Sequence, residues 1–282
     1  MKWPRRTNET AGNGPEDVGG EDETGIDEFD PGFIDSGMSS DVGGRQENQD
    51  RAFVSHTLGV VSDGMGGYAG GAKAAELTVG AVREALVGLV GNQIDERALA
   101  HAFERANDAV RKGRRFDPEK SQMGATLTLA ALVRGDLEES VWLVAHVGDS
   151  PAFLVMVPEA VPITIDHTVP AQMVSTGALS SADAEVHPYR HVLLRAIGTE
   201  AEVHVDLAEV HLAAGDALLI ASDGLSNELT PADILPFVAD APTAADAANA
   251  LVAEAVARGA SDNVTAVVLR HVAYSPQVQE SF

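Results

Sequence analysis

The chain has 282 residues, of which 45% are hydrophobic, and it contains no cysteine. It therefore lacks disulfides, zinc–thiolate sites and cysteine nucleophiles, a composition that fits a reducing compartment. The formal net charge of −24 disfavours unspecific attraction to nucleic acid or to an anionic membrane. No apolar run approaches the length of a membrane span, so we expect a soluble, cytoplasmic protein with one large domain.

The chain opens with an acidic extension. Between residues 7 and 34 the sequence has many acids, several glycines and no lysine or arginine. Such a segment cannot bury enough apolar surface to offset the entropy lost on ordering. We expect residues 1–34 to be a disordered, solubilising extension, with a docking or self-inhibitory tail as the alternative. The folded part is expected over residues 35–273, followed by a frayed tail over residues 274–282.

Two short strands are predicted early in the folded part. Asp50 to Thr57 alternates loosely between polar and apolar residues, and Leu58 to Asp63 is rich in β-branched residues. If the two strands pair, Asp50 and Asp63 lie side by side. Like charges cluster in this way at a cost, unless a cation is bound between them.

The stretch from Gly59 to Gly71 (GVVSDGMGGYAGG) runs from a strand through Asp63 into glycine-rich sequence. The Asp63 carboxylate and the Gly64 carbonyl are ligands that suit Mg²⁺, Mn²⁺ or Ca²⁺. The same stretch also fits GxGxxA, which would indicate a dinucleotide-dependent oxidoreductase, but the acid expected about 20 residues later would be Glu84, inside a helical pattern. A purely structural tight turn remains open.

The following sequence predicts two amphipathic helices, Ala72 to Leu89 and Asp95 to Lys112. Three apolar runs come next, at residues 125–133, 141–147 and 152–157, and they predict an antiparallel meander. Consecutive strands argue against a nucleotide-binding fold, in which strands and helices alternate.

The segment from Asp166 to Tyr189 is irregular and predicts a surface flap that shapes access to a site. Three histidines in or beside it, His167, His187 and His191, do not have the spacing of a zinc-binding helix. We interpret them as part of the flap structure.

The last third of the chain repeats the arrangement of strand, acid and glycine. Ala217 to Ser222 predicts a buried strand that ends at Asp223-Gly224. Helices are predicted over residues 231–238 and 243–257, with Gly259 ending the second. Asp262 then stands at the entrance of a last strand, predicted over residues 264–272.

Four aspartates thus stand at predicted strand edges: Asp50, Asp63, Asp223 and Asp262. If they converge, they form an all-oxygen site that selects Mg²⁺ or Mn²⁺ and can hold two ions about 3.5 to 4 Å apart. Hydrolysis of phosphate esters is the natural reaction of such a site. Arg45 could clamp the phosphoryl oxygens.

These residues belong to an ordered set of short motifs. In chain order they are Arg45…Asn48-Gln49-Asp50, Ser62-Asp63-Gly64-Met65-Gly66-Gly67, Gly124-Ala125-Thr126-Leu127, Val147-Gly148-Asp149-Ser150, Asp166-His167, Ala221-Ser222-Asp223-Gly224-Leu225 and Ser261-Asp262-Asn263-Val264-Thr265. The set, covering about residues 37 to 272, resembles the metal-dependent protein phosphatase family of type 2C, in particular its bacterial Ser/Thr branch. The resemblance implies an α+β fold, a four-layer α-β-β-α sandwich with two central, mainly antiparallel sheets flanked by helix pairs.

The resemblance also implies a dinuclear Mg²⁺ or Mn²⁺ centre that hydrolyses phosphoserine and phosphothreonine by direct attack of a metal-bridging water. Asp63 would bridge the ions and Gly64 would offer its carbonyl to one of them. Asp223 and Asp262 would bind the partner ion, and Asp50 would stand beside the bridging water as a further member of the metal centre.

Two further roles follow from the same resemblance. Arg45 would bind the substrate phosphate, and Asp149 with Asp223 resembles the pair that binds a third ion in bacterial members. A monomer that acts on phosphoproteins, among them a Ser/Thr kinase or a phosphorylated regulator, is expected. A catalytically silent phosphoprotein-binding module of the same fold is the alternative, because Gln49 and Pro151 depart from the usual motifs.

Overall fold

The computed structural model describes residues 33–66, 70–89, 91–116, 121–136 and 139–272. The extension expected before residue 33 and the tail expected from residue 274 lie outside these residues. The strands are β1 Ile34–Asp41, β2 Arg51–Val54, β3 Leu58–Ser62, β4 Gly64–Met65, β5 Gly124–Ala125, β6 Leu127–Gly135, β7 Glu139–Val147, β8 Ala152–Met156, β9 Glu159–Pro162, β10 Asp206–Ala213, β11 Ala217–Ala221 and β12 Val264–His271. The helices are α1 Gly70–Leu86, α2 Glu96–Phe116, α3 Val169–Ser175, α4 Ser181–Glu185, α5 Asp223–Ser226, α6 Pro231–Ala239 and α7 Ala244–Ala257, with a short 3₁₀ turn at Gly91–Gln93.

Two five-stranded antiparallel sheets form the centre of the molecule. The first sheet has the order β10-β7-β6-β3-β2, and the second has the order β1-β12-β11-β8-β9. Strands β4 and β5 make a separate small pair. The predicted α+β sandwich is therefore confirmed.

Alternation of side chains along the strands produces three apolar layers. In β6, Leu129 packs towards α1 and α2, whereas its neighbour Ala130 packs between the two sheets. In β11, Leu219 packs towards α6 and α7, whereas Ile220 packs between the sheets. Because the strands are buried on both faces, they appear in the sequence as continuous apolar runs.

The predicted meander is wrong in its third strand. Strands β6 and β7 pair as expected, but β8 pairs with β11 and β9 in the second sheet. The chain crosses between the sheets at Gly148–Pro151, where Gly148 has a φ of +117°, a conformation open mainly to glycine. Pro151 has no N–H to donate, and its carbonyl accepts a hydrogen bond from Ala221 of β11. Apolar runs indicate that strands exist but do not identify their partners.

Four strands were not predicted at all: β1, the two-residue β4, β9 and β10. Strand β1 has the polar sequence IDSGMSSD, and it is nevertheless held along the edge of the second sheet by eight paired residues of β12. Packing begins at Phe33 and Ile34, which lie in the layer between the sheets, just before the domain start expected at residue 35. No helix in the described ranges is long and apolar enough to cross a membrane.

Close approach of backbones fixes helix α7 on β1. The Asp35 carboxylate accepts a hydrogen bond of 2.6 Å from the N–H of Ala244, the first residue of α7. A Cβ atom at Gly37 would stand only 2.3 Å from the backbone nitrogen of Ala245. The edge strand therefore needs glycine at this position.

We expect Gly37→Ala to lower the free energy of unfolding by about 1–3 kcal/mol, because the added methyl pushes α7 away from β1. Gly80→Ala is the matched control: Gly80 lies inside α1, and a Cβ there meets nothing within 4 Å. That change should raise the free energy of unfolding by up to about 1 kcal/mol, since alanine is the better helix former. Urea denaturation of the two variants measures both effects, and equal stability of the two would contradict the packing described.

Candidate metal centre

The four aspartates singled out from the sequence all lie at strand ends. Asp50 directly precedes β2 and Asp63 directly follows β3, and the antiparallel pairing of Arg51 with Ser62 makes them neighbours. Asp223 lies two residues after the end of β11, and Asp262 lies two residues before the start of β12. The site is thus built from the ends of strands in both sheets.

Asp50 is buried, with 3% of its surface exposed. One of its oxygens, Oδ2, accepts a hydrogen bond of 2.7 Å from the hydroxyl of Thr265. The other, Oδ1, is buried and has no hydrogen-bond partner among the described residues. Burial raises the pKa of Asp50 from 3.8 to about 6, although the hydroxyl groups of Thr265 and Ser222 oppose this shift.

Asp63 is fixed through its backbone. Its N–H donates to the hydroxyl of Thr126 at 2.9 Å, and its carbonyl accepts from the N–H of Thr126 at 2.8 Å. Burial raises the pKa of Asp63 well above 3.8, and the carboxylates of Asp50 and Asp223 raise it further. The carboxyl group therefore lies in a place where negative charge is costly.

Asp223 and Asp262 are the other two of the four aspartates. Asp223 has one buried oxygen, Oδ1, with no hydrogen-bond partner in the described part of the chain, and its Oδ2 accepts from Asn227 at 3.3 Å. Asp262 forms an ion pair of 2.7 Å with Arg45. A Cβ atom at Gly224 would lie 2.1 Å from the carbonyl oxygen of Asn263, so glycine lets these two loops meet.

Asn263 holds the loop that carries Arg45. Its side-chain oxygen accepts from the N–H of Gln49, and its side-chain nitrogen donates to the carbonyls of Val42 and Glu47. Asn263 is 3% exposed. Asn263 is therefore a positioning residue for the loop of Arg45. The sequence motif Ser261-Asp262-Asn263 did not indicate this role, which follows from the three backbone contacts of the side chain.

Two further carboxyl groups lie beside Asp223. The pKa of Asp149 is raised by burial and then by the charges of Asp223 and Asp166. Burial and Asp223 raise the pKa of Asp166 from 3.8 to about 7. Asp149 was singled out from the sequence; Asp166 was noted only within the pair Asp166-His167, and no feature of its own placed it among the site acids.

His167 does not face these acids as a ligand. It is buried, with Nδ1 accepting from the N–H of Gly148 at 3.1 Å and Nε2 lying 3.1 Å from Asp206 Oδ2. Its ring contacts that of His146, with 4.7 Å between the ring centroids and a tilt of 44° between the ring planes. Burial lowers the pKa of His167, so the neutral form holds the crossover turn at Gly148 in place. The interpretation of His167 as structural is consistent with this geometry, although the residue is buried rather than on the surface.

A cleft of about 670 Å³ opens above the acids. Its walls include Arg45, Asp63, Gly64, Asp149, Asp223 and Asp262, so the predicted site residues apart from the buried Asp50 line one space. Gly64 has no room for a side chain, because a Cβ there would stand 2.0 Å from the carbonyl oxygen of Gly71.

The donors of this cleft fit a hard divalent cation. They are carboxylate oxygens and a backbone carbonyl, and two of the buried carboxylate oxygens have no partner in the described residues. In the described ranges, no three carboxylate or imidazole groups are grouped tightly enough to hold an ion as they stand. In this structure Asp262 pairs with Arg45, so the guanidinium occupies part of the carboxylate that an ion would share.

Comparison with known proteins agrees with this chemistry. The model of the family described as protein phosphatase 2C matches residues 40–258. The serine/threonine phosphatase stp of Listeria innocua is 30% identical over 235 residues, which are 82% of this chain and 89% of that protein. Protein phosphatase PhpP of Streptococcus pneumoniae is 31% identical over 245 residues, with 82% and 95% of the two chains covered.

Among solved structures, the catalytic domain of the serine/threonine protein phosphatase PstP, in complex with two manganese ions, matches with a TM-score of 0.74. The identity is 29%, and the match covers 85% of this chain and 98% of that one. Neither an oxidoreductase nor a silent binding module finds support in these relatives. The chain therefore belongs to the protein phosphatase 2C family of serine/threonine protein phosphatases.

Proposed function

We propose that this phosphatase removes phosphate from phosphoserine and phosphothreonine side chains with two divalent ions, Mn²⁺ or Mg²⁺, at its acidic cleft. Asp63 and the Gly64 carbonyl, with Asp223, Asp262 and Asp50, would hold the ions. The observation that carries the proposal is the pair of buried oxygens without a partner in the described chain, Asp50 Oδ1 and Asp223 Oδ1. A buried, unpaired carboxylate oxygen is costly unless a cation or a proton satisfies it.

The ions, when bound, supply Lewis acidity towards the phosphoryl oxygens and lower the pKa of water near them. Asp50 would stand beside the attacking water as a member of the metal centre: the Thr265 hydroxyl fixes its Oδ2, and its Oδ1, which has no hydrogen-bond partner in the described residues, would face the ions. Arg45 lies at the cleft wall with more than half of its side chain exposed, so its guanidinium can move from Asp262 to the phosphoryl group. The oxygen of water forms a new bond to phosphorus as the bond from phosphorus to the serine or threonine oxygen breaks; the attacking water gives up a proton to solvent, and the leaving oxygen takes up a proton from solvent.

A third ion is proposed at Asp149 and Asp223. The raised pKa of Asp149, caused by burial and then by Asp223 and Asp166, supports this assignment because a cation would relieve the same repulsion. The flap that contains α3 and α4 begins at Asp166 and lies beside this pair.

The cellular role is proposed from the same chemistry. Phosphoserine and phosphothreonine proteins are the substrates, among them a Ser/Thr kinase or a phosphorylated regulator. The net charge of −24 supports a monomer that works in the cytoplasm without binding nucleic acid or a membrane. The catalytic domain would begin at Phe33, because Phe33 and Ile34 pack between the sheets, and residues 1–32 and 274–282 would stand outside it.

Asp63→Asn tests the electrostatic cost of the site. We expect the variant to melt at a higher temperature than the wild type in EDTA, because it removes one of several mutually repelling buried charges. Mn²⁺ at a hundredfold excess over its Kd should raise the Tm of the wild type by about 5–10 °C and that of the variant by far less. Asp108→Asn is the control, since Asp108 is exposed on α2. Differential scanning calorimetry measures the Tm of the wild type and of both variants, in EDTA and in Mn²⁺. If Mn²⁺ raised the Tm of Asp63→Asn as much as that of the wild type, the assignment of Asp63 as a metal ligand would be contradicted.

Phosphate release from a phosphothreonine peptide tests the reaction itself. We expect release to require Mn²⁺ or Mg²⁺ and to fall by about a thousandfold in Asp223→Asn, since several kcal/mol of transition-state stabilisation depend on the ions. Asp63→Ala should abolish turnover, and Asp108→Asn should leave kcat/KM unchanged. Full activity in EDTA, or in Asp63→Ala, would refute the proposed function.

A further inference from the structure

The cleft has two side chains that can carry positive charge. Among the described residues of its wall, these are Arg45 and His191, and the remainder are acidic, neutral or apolar. Arg45 belongs to the loop before β2, whereas His191 follows the flap that contains α3 and α4. Nothing in the spacing of the flap histidines separates His191 from the others, and the proposed mechanism does not use it.

Arg45 and His191 each lie beside one aspartate of the cleft. Arg45 Nη2 lies 2.7 Å from Asp262 Oδ2, and His191 Nδ1 lies 3.8 Å from Asp223 Oδ2. The second distance is too long for a hydrogen bond. Within the described chain, the imidazole of His191 has no closer polar partner, and 52% of its side chain is exposed. It is therefore available to a ligand.

The backbone, and not the side chain, fixes the position of His191. The next residue, Val192, accepts a hydrogen bond from the N–H of Val169 and donates to the carbonyl of Tyr189. Leu193 forms a β-bridge with Thr168 and lines the cleft as well. The backbone thus holds His191 at the cleft wall, and its half-exposed imidazole can turn towards a ligand in the cleft.

A phosphoryl group that enters this cleft needs more than one donor, because several carboxylates surround it. The imidazole offers an N–H whether it is neutral or charged. Once cations occupy Asp223 and Asp262, these acids no longer compete for the two donor side chains. Arg45 and His191 are then both free to turn to the phosphate.

We propose that His191 is a second phosphate-binding residue of this enzyme, donating a hydrogen bond to the phosphoryl group together with Arg45. The ligand is the phosphoryl group of the phosphorylated serine or threonine, and the inorganic phosphate formed from it. The inference rests on the proposed function, yet it concerns binding and can be tested apart from turnover.

The test measures binding of inorganic phosphate to the Mn²⁺-loaded full chain by calorimetry, in the wild type, His191→Ala and His191→Gln. We expect His191→Ala to weaken phosphate binding about five- to tenfold, the effect of losing one partly exposed hydrogen bond to a charged group. His191→Gln should retain most of the affinity, because its amide also donates. The matched control is His187→Ala, on the same flap but outside the cleft wall, and it should bind phosphate as the wild type does.

Two results would overturn the inference. Unchanged phosphate binding in His191→Ala is the first. The second is an equal loss of Mn²⁺ affinity in His191→Ala, which would make the imidazole a metal ligand instead. Absence of phosphate release by the wild type would refute the proposed function but would leave the binding measurement interpretable.

Discussion

Repulsion among buried carboxyl groups is the constraint on which the functional part of this molecule depends. Asp50 and Asp63 lie next to each other where two antiparallel strands end, and Asp223 adds a third charge from the other sheet. Burial raises the pKa of the first two, so the folded chain alone holds this cluster at a cost. Divalent cations remove that cost, and the same cations supply the chemistry.

The two-sheet sandwich holds the carboxylates close together in spite of their repulsion. Asp63 is bonded at both its N–H and its carbonyl to Thr126, and Asp50 is held by Thr265 of the opposite sheet. Three apolar layers, two between helices and sheets and one between the sheets, stabilise these positions. A charge cluster of this kind would otherwise relax by local rearrangement, so the large core around it is part of how the site works.

The proposed phosphate donors are placed differently from the proposed metal ligands. Arg45 and His191 sit on connections between elements, are more than half exposed and each lie beside an acid. Rigid strand ends thus carry the groups whose geometry must be fixed, and loops carry the groups that must move to meet a substrate. Asn263 couples the two sets, because its side chain ties the loop of Arg45 to the residue after Asp262.

The sequence by itself determined the acidic site and the apolar layers, because a strand that ends in aspartate and glycine is a local signal and burial on both faces leaves a continuous apolar run. It did not determine that β8 leaves the meander for the second sheet, nor that the polar segment of β1 is an edge strand, because strand pairing depends on residues far away in the chain. The tertiary structure alone brought Asp166 and His191 close to Asp223. Their proximity depends on how the flap folds back over the strand ends, and no spacing along the chain encodes that distance.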